Sequence, residues 1–532
     1  MTNPPDLVGS WALATLVLLP MTAGVLLLSV RRIGERLAAE LGTAAAAATL
    51  VIALLAAVTA APFGRTVPGL GLDVSWIPAL GVRLHLGLDG ISAPLVVLTA
   101  LLGLLVCWHV LRIRPPAGRI QGLVACFLFV EAGAIGTFLA LDLVVFFVAF
   151  ETVLIPMWFV ISRWGDDEQP VDAPIGATPI PGGEAARRDA ANRFILYTAL
   201  GSAVMLLGLL LIALRSGTTD LVALAYRGGA GMSVTVQTIA AGLVVIGLVV
   251  KAPMFPFHTW LPPAHTIAPT GGSVLLAGVL LKMGTYGLVR VVVPVVPAGL
   301  HRIAPILGAL GVAGILWGGL ACFVTRDLKR LIALSSVAHM GFVLLGVASM
   351  TPEGLQGALF ANVAHGLITG LLFLVVGAIK DRHHTADLRL LGSGLRDRLP
   401  RLGWLLAFGA IAGLGLPGLA GFWGEVLAIA GAWQPGSAMG GASRPLAVLA
   451  AIGTAVAAAY LLRMLRSLWH GPAPVADPNA IMSGPIMGDV STHEVAVLAP
   501  LVVLTVALGV VPGILLGVTA GAVRLLLTGG TP

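Results

Sequence analysis

Charge is scarce in this 532-residue chain: Asp, Glu, Lys and Arg together make up 10% of it, against about 25% in soluble globular domains. With hydrophobic residues at 58%, that shortage excludes a water-soluble domain, a disordered chain and a disulfide-rich secreted scaffold. Cysteine is nearly missing. Cys107, Cys126 and Cys322 all lie in apolar runs, without CxxC or Cys/His pairing, so neither a disulfide frame nor a cysteine metal site is expected. No HExxH, zinc spacing, Ser-His-Asp arrangement or P-loop occurs, so no bond chemistry is expected in this chain alone. Strand-like alternation is lacking too, which argues against a transmembrane β-barrel.

What is present is long apolar runs. A helical span needs about 20 mostly apolar residues. The runs predict an all-α polytopic membrane protein with about 14 transmembrane helices: 8–30, 41–62, 89–111, 120–141, 142–162, 191–214, 234–255, 270–296, 303–325, 328–350, 355–379, 402–433, 446–468 and 495–526. The first run has no basic region before it and no cleavage pattern, so it is expected to be a retained helix. The longest hydrophilic insert, 163–192, holds Asp166-Asp167-Glu168, Pro170, Pro174, Pro179 and Pro181 and reads as a surface loop of low order. Loops after odd-numbered spans hold 21 basic residues and those after even-numbered spans hold 8. The excess predicts that the first set faces the cytoplasm of a bacterial-type inner membrane and that both termini lie on the other side. The net charge of +7 is then a property of loops at a membrane leaflet, and no nucleic-acid partner is expected.

Two basic residues belong to neither set. Lys251 and Lys282 sit inside apolar runs, and they are half of the chain's four lysines. A charge near the bilayer centre costs at least about 3 kcal/mol, so it persists where it faces protein or water, finds a partner, or does work. Lys251 ends a run at which snorkelling to the surface is conceivable. However, Pro253 and Pro256 follow at once, and a further apolar run begins by about residue 270. Prolines break helices, and broken membrane helices line polar cavities and ion sites. Lys282 lies deeper in its run. Glu151, in DLVVFFVAFETVLIPMWF, is expected to pair with Lys251 as a coupled titrating unit. Glu425 follows the break Gly413-Leu-Gly415-Leu-Pro417-Gly418. Those glycines spell GxGxxG, but without a preceding strand a discontinuous helix is the better reading. Glu131 is mid-span, either functional or held by one inter-helix hydrogen bond.

Five histidines lie in or beside spans: His109, His258, His265, His339 and His365. A lone histidine on an apolar face is usually a satisfied core residue. His339 and His365, however, have Ser335, Ser336 and Asn362 nearby, a set suited to a water wire. His258 and His265 stand seven apart around a proline-rich break, poor spacing for a metal, and no metal site is expected. A coarse repeat is visible: Glu151 followed by the break at Lys251-Ala-Pro253, then His339 followed by the break at Pro417 and Glu425.

These residues carry a specific resemblance. KAPMFPFHTWLPPAHTIAPTGGSVLLAGVLLKMGTYGLVR closely resembles the signature stretch of the antiporter-like proton-pumping membrane subunits of respiratory complex I, the NADH–quinone oxidoreductase. RDLKRLIALSSVAHMGFVLLG and LPGLAGFWGE also look like this family. Glutamate rather than lysine at position 425, and no long lateral helix after span 14, match one branch of it. The resemblance implies two inverted five-helix repeats with broken helices 7 and 12. It divides the chain into an N-terminal three-helix segment (1–119), a first repeat (120–300), a second repeat (301–470) and a C-terminal loop and helix (471–532). It implies an acidic partner at Glu151, a central lysine at Lys251, a connecting lysine at Lys282 and an outlet at Glu425. His258, His339 and His365 would link the hydrated axis. Pro263 stands where the family often has an acidic residue. No cofactor is implied in this chain; NADH, FMN, iron–sulfur clusters and quinone belong to partner subunits. The expected partners are membrane-arm neighbours on both sides and lipid. Cation/proton antiporter subunits of the Mrp type share much of the signature and remain an alternative.

Overall fold

The computed structural model describes residues 7–30, 33–60, 70–111, 120–167, 182–469 and 488–528. Arg31, Arg32, Arg65, Arg112, Arg114, Arg119, Glu168 and the insert prolines fall outside these residues. Thirteen described helices are long and apolar enough to cross a bilayer. The twelfth predicted span is the one outside that set. It consists of two 14-residue helices, Pro400–Gly413 and Ala420–Trp433, separated by the expected break. The predicted span 495–526 is also divided, into Thr492–Val510 and Gly513–Thr528, because Pro512 follows the first helix.

Burial ranks the helices. Thr270–Val295, Leu328–Ser349 and Pro352–His383 are 94%, 94% and 100% buried over their apolar windows, against 28% for the two N-terminal helices. A helix apolar all round and buried all round forms the centre of a bundle. These three helices carry Lys282, His339 and His365.

Helix boundaries follow side-chain capping. Asp142 accepts from the backbone N–H groups of Val144 and Val145, and Asp220 from Ala223. Asp327 accepts from Arg330, and Asp387 from Arg389. These four aspartates form two matching clasps. Asp142 and Asp220 share an antiparallel bridge, with Leu143 N–H donating to Thr219 O at 2.9 Å and Leu221 N–H to Leu141 O at 2.8 Å. Asp327 and Asp387 do the same, with Leu328 N–H donating to Ala386 O and Leu388 N–H to Arg326 O, both at 2.9 Å.

Three features were not foreseen from the sequence. The 70–88 stretch folds as an antiparallel hairpin, Leu70–Ile77 with Val82–Leu88, the one sheet among the described residues. Its turn is closed by Gly81 at φ +67°, which only glycine adopts freely. The fifth span divides at Val153 into Leu143–Thr152 and Leu154–Trp164. Wide i→i+5 turns at Leu276–Leu280 and Leu288–Val292 flank Lys282, and such bulges are frequent at functional sites.

Candidate functional site

The helix Val234–Lys251 stops at Lys251 because Pro253 and Pro256 lack backbone donors. The carbonyls this frees are taken up locally: Met254 N–H donates to Val249 O and the Trp260 indole N–H to Val250 O, each at 2.9 Å. These bonds satisfy two carbonyls at the end of the broken helix, while Pro256 and Thr259 within the break are exposed. At its edge Lys251 is 1% exposed. Its ammonium donates to Phe150 O at 3.4 Å and lies 4.6 Å over the Phe150 ring.

The expected contact between Lys251 and Glu151 is not made. Among the described residues no ion pair within 4 Å joins them, and Glu151 Oε1 is buried without a partner. The ammonium instead takes the carbonyl of the residue before Glu151. The two groups are adjacent, with the pair open.

From Lys282, at the end of the first repeat, the row runs into the second repeat at closer spacing. Lys282 Nζ donates to Ala277 O at 2.5 Å and lies 2.6 Å from His365 Nδ1. The wide turn at 276–280 gives Leu281 N–H an i→i+5 bond to Leu276 O, and the ammonium uses the next carbonyl. The His365 and His339 rings are 5.7 Å apart between centroids. His339 Nε2 is 3.6 Å from Glu425 Oε1 and 3.2 Å from Gly413 O. Thr454 donates to Glu425 Oε2 at 3.3 Å. Ser335, Thr369, His339, His365 and Glu425 supply the polar wall of one cavity. Gly415 explains why the break is glycine-rich. At φ +71° it is in the left-handed region, and a Cβ there would lie 2.8 Å from Glu425 Oε2.

Four predicted residues, Lys282, His365, His339 and Glu425, thus form one file from the centre of the bundle to the second break. His258 is not joined to it. It stacks on Phe255 (5.7 Å) and lies tilted against Trp317 (4.2 Å), and its Nδ1 has no partner. Between Lys251 and Lys282 the two helices meet at Gly284, whose added Cβ would press against Ala252 at 2.9 Å. No described hydrogen bond spans that gap.

Sequence reasoning missed a charged joint at one end of the bundle. Asp166, placed in a loop of low order, accepts from Lys329 Nζ and Lys380 Nζ, both at 2.7 Å. Its own N–H donates to Ile267 O at 2.7 Å. Burial pushes the Asp166 carboxyl up, but the two lysine charges and their hydrogen bonds outweigh it and hold the group below the usual carboxylate range. Lys329 was counted as a loop charge, yet it is 1% exposed. The partners are 163 and 214 residues away, so no local pattern marks them. Thr369 and Thr454 were also missed, because threonine is unremarked in an apolar run.

Among the described residues no cluster of three or more His, Cys, Asp or Glu could hold a metal ion. The arrangement holds oxygen and nitrogen groups at short intervals through an apolar interior, which suits passing a proton.

Residues 180–466 match the family described as NADH:quinone oxidoreductase/Mrp antiporter, TM. NADH-quinone oxidoreductase subunit M of Rhodobacter capsulatus is 37% identical over 519 residues, 94% of this chain and 93% of the relative. The same subunit of Pseudomonas aeruginosa is 36% identical over 471 residues, 87% and 86% of the two chains. A chain of respiratory complex I from Thermus thermophilus with bound NADH superposes with a TM-score of 0.81 at 28% identity, covering 97% of this chain and 98% of its own. A chain of the Mrp complex from Dietzia sp. shares the fold with a TM-score of 0.82 at 24% identity, covering 98% of both.

Proposed function

Because the chain belongs to the NADH:quinone oxidoreductase/Mrp antiporter membrane family, we propose that its buried row of charges conducts protons within a complex whose partner subunits transfer electrons from NADH to quinone. It is a multi-pass, antiporter-like, proton-translocating membrane subunit of that oxidoreductase, in the branch of the subunit M relatives. Flavin, iron–sulfur clusters and quinone are assigned to partners, and membrane-arm subunits flank this chain on either side. The loops after odd-numbered spans face the cytoplasm, and both termini lie opposite.

The roles follow the row. Glu151 and Lys251 form the coupling pair, which the open geometry leaves free to close. Lys282 connects the halves, His365 and His339 relay, and Glu425 is the outlet site. His258 lines the first break and acts through water. Opening and closing the Glu151–Lys251 pair would shift proton affinity along the row, because the open pair leaves the Lys251 charge uncompensated and its like-charge repulsion pushes the Lys282 proton onward. Moving a proton against 100 mV costs about 2.3 kcal/mol, which a change in one buried pair can supply. The two aspartate clasps support a division into repeats 120–300 and 301–470. One follows an even-numbered span and the other an odd-numbered span, as inverted units require.

The observation that carries the reading is the Lys282–His365–His339–Glu425 file. Its test is Lys282→Met in the assembled complex reconstituted in vesicles. Electron transfer with reduced proton yield is expected; full proton stoichiometry would reject the file. An Mrp-type antiporter role is disfavoured, since the extensive relatives at 36–37% are oxidoreductase subunits while the Mrp likeness is 24%. Co-purification with flavin and iron–sulfur subunits separates the two.

A further inference from the structure

Glu131 is a buried titratable group that the row above does not use. It lies on the helix Ile120–Leu139, is 0% exposed, and neither carboxyl oxygen has a hydrogen-bond partner. A carboxyl kept for cohesion between helices would bond across to a neighbour, and this one does not. Nor does any ion pair neutralise it among the described residues, which separates it from Asp89 and Asp166 at the bundle ends.

The space it occupies is specific. Opposite it stands Gly103 of the helix Ser92–Val110. A Cβ at that position would lie 2.7 Å from the Glu131 carboxyl carbon and 2.9 and 3.0 Å from its oxygens. The notch exists only because residue 103 has no side chain. Cys107, one turn on from Gly103, is the nearest titratable neighbour on that wall.

Both walls of the notch touch the helix that carries Lys282. Phe127, Glu131 and Phe138 share one face of their helix by spacing. Phe127 lies 3.0 Å from where a Gly271 Cβ would stand, and Phe138 O accepts from Tyr286 Oη at 2.8 Å. Glu131 lies between these two contacts, at the height of the wide turn 276–280. On the other wall Leu102, beside Gly103, packs against Gly278 in that same turn. Ala277 of this turn holds the Lys282 ammonium.

We propose that Glu131 is a second proton-accepting site, lateral to the row, which loads and releases one H⁺ through water admitted beside Gly103. The step is carboxylate plus hydronium giving carboxylic acid plus water, and its reverse. With no partner cation, a proton is what neutralises this group, and burial without a partner disfavours its carboxylate. Through the intervening turn, a negative Glu131 favours the ammonium on Lys282 and a neutral Glu131 eases its proton toward His365. The proposal rests on the row being a proton path.

The test is infrared difference spectroscopy of the assembled, membrane-embedded complex, resting against NADH-driven. The carbonyl stretch of a neutral carboxylic acid is expected to appear or vanish with turnover, to be missing in Glu131→Gln and to shift in Gly103→Ala. The transient proton uptake per complex in Glu131→Gln is expected to fall by one. Difference spectra and uptake equal to wild type in Glu131→Gln would overturn the proposal. If that variant does not assemble, an unshifted band in Gly103→Ala overturns it instead. Lys282→Met keeps the roles apart: full pumping there removes the row, whatever Glu131 does, while a Glu131→Gln result at wild-type level beside a defective Lys282→Met removes only the lateral site.

Discussion

The two halves of the bundle use the same kinds of residue and differ in contact. From Lys282 onward His365, His339 and Glu425 follow in sequence, with separations of 2.6 Å between Lys282 and His365, 5.7 Å between the two imidazole centroids and 3.6 Å between His339 and Glu425. In the first half Lys251 rests on a carbonyl and a ring, and Glu151 stands beside it unpaired. The difference lies in what fills the space between charges. Imidazoles occupy it in the second half. Glycine fills it between Lys251 and Lys282, where Gly284 lets the helices close without a side chain. The file needs only a bridge between its two imidazoles, where His365 Nε2 has no partner; an open pair and a gap need movement or more water. The first half is therefore where coupling energy is expected to act.

The sharpest way to break this contrast is to compare Lys251→Met with Lys282→Met by proton yield per electron in vesicles. Both are expected to lose most of the yield contributed by this chain. Full yield in Lys251→Met alone would confine the path to the second half. Next is Gly415→Ala. A left-handed backbone costs a residue with a side chain about 1–2 kcal/mol, and the new Cβ would press on Glu425 Oε2 at 2.8 Å. A lower Tm of the purified complex together with reduced pumping is expected, where a mere turn defect would lower Tm alone. Asp166→Asn is expected to cost about 1–3 kcal/mol, below the figure for a fully buried pair because the side chain is 24% exposed. The same joint sets an acid limit. Asp166 binds its proton more weakly folded than unfolded, so its stabilisation is full above the ordinary carboxylate range and is lost as pH falls through the lowered folded value. Tm followed down to pH 3 should fall less steeply in Asp166→Asn than in wild type. The smallest effects compare the clasps: Asp142→Ala and Asp327→Ala should each cost about 1 kcal/mol, and a large inequality would show that the clasps are not equivalent.

Hydropathy and stray charge made much of this legible. An apolar run holding Lys251, Lys282 or Glu425 announces itself, and prolines mark where the helices stop. Contact was less legible. His339 and His365 join the file while His258 does not, and nothing in the spacing of the three histidines tells them apart, because ring contacts between different helices depend on rotation about each axis. The hairpin at 70–88 was hidden by its glycines and leucines between two strong spans. Asp166 was unreadable because its partners lie on the far repeat. The Glu151–Lys251 contact was expected from charge alone, and the Phe150 carbonyl was the competitor that charge counting omits.

The wide turn ahead of Lys282 amounts to a helix carrying one residue too many. Each residue of an α-helix advances about 100° around the axis. Forcing that turn back to ordinary pitch with its residue count unchanged would swing everything on one side of it by roughly a quarter revolution. The chain would remain as apolar and as long, and would still insert. Its lysine would then point at a different neighbour, and the bundle would have become an insulator.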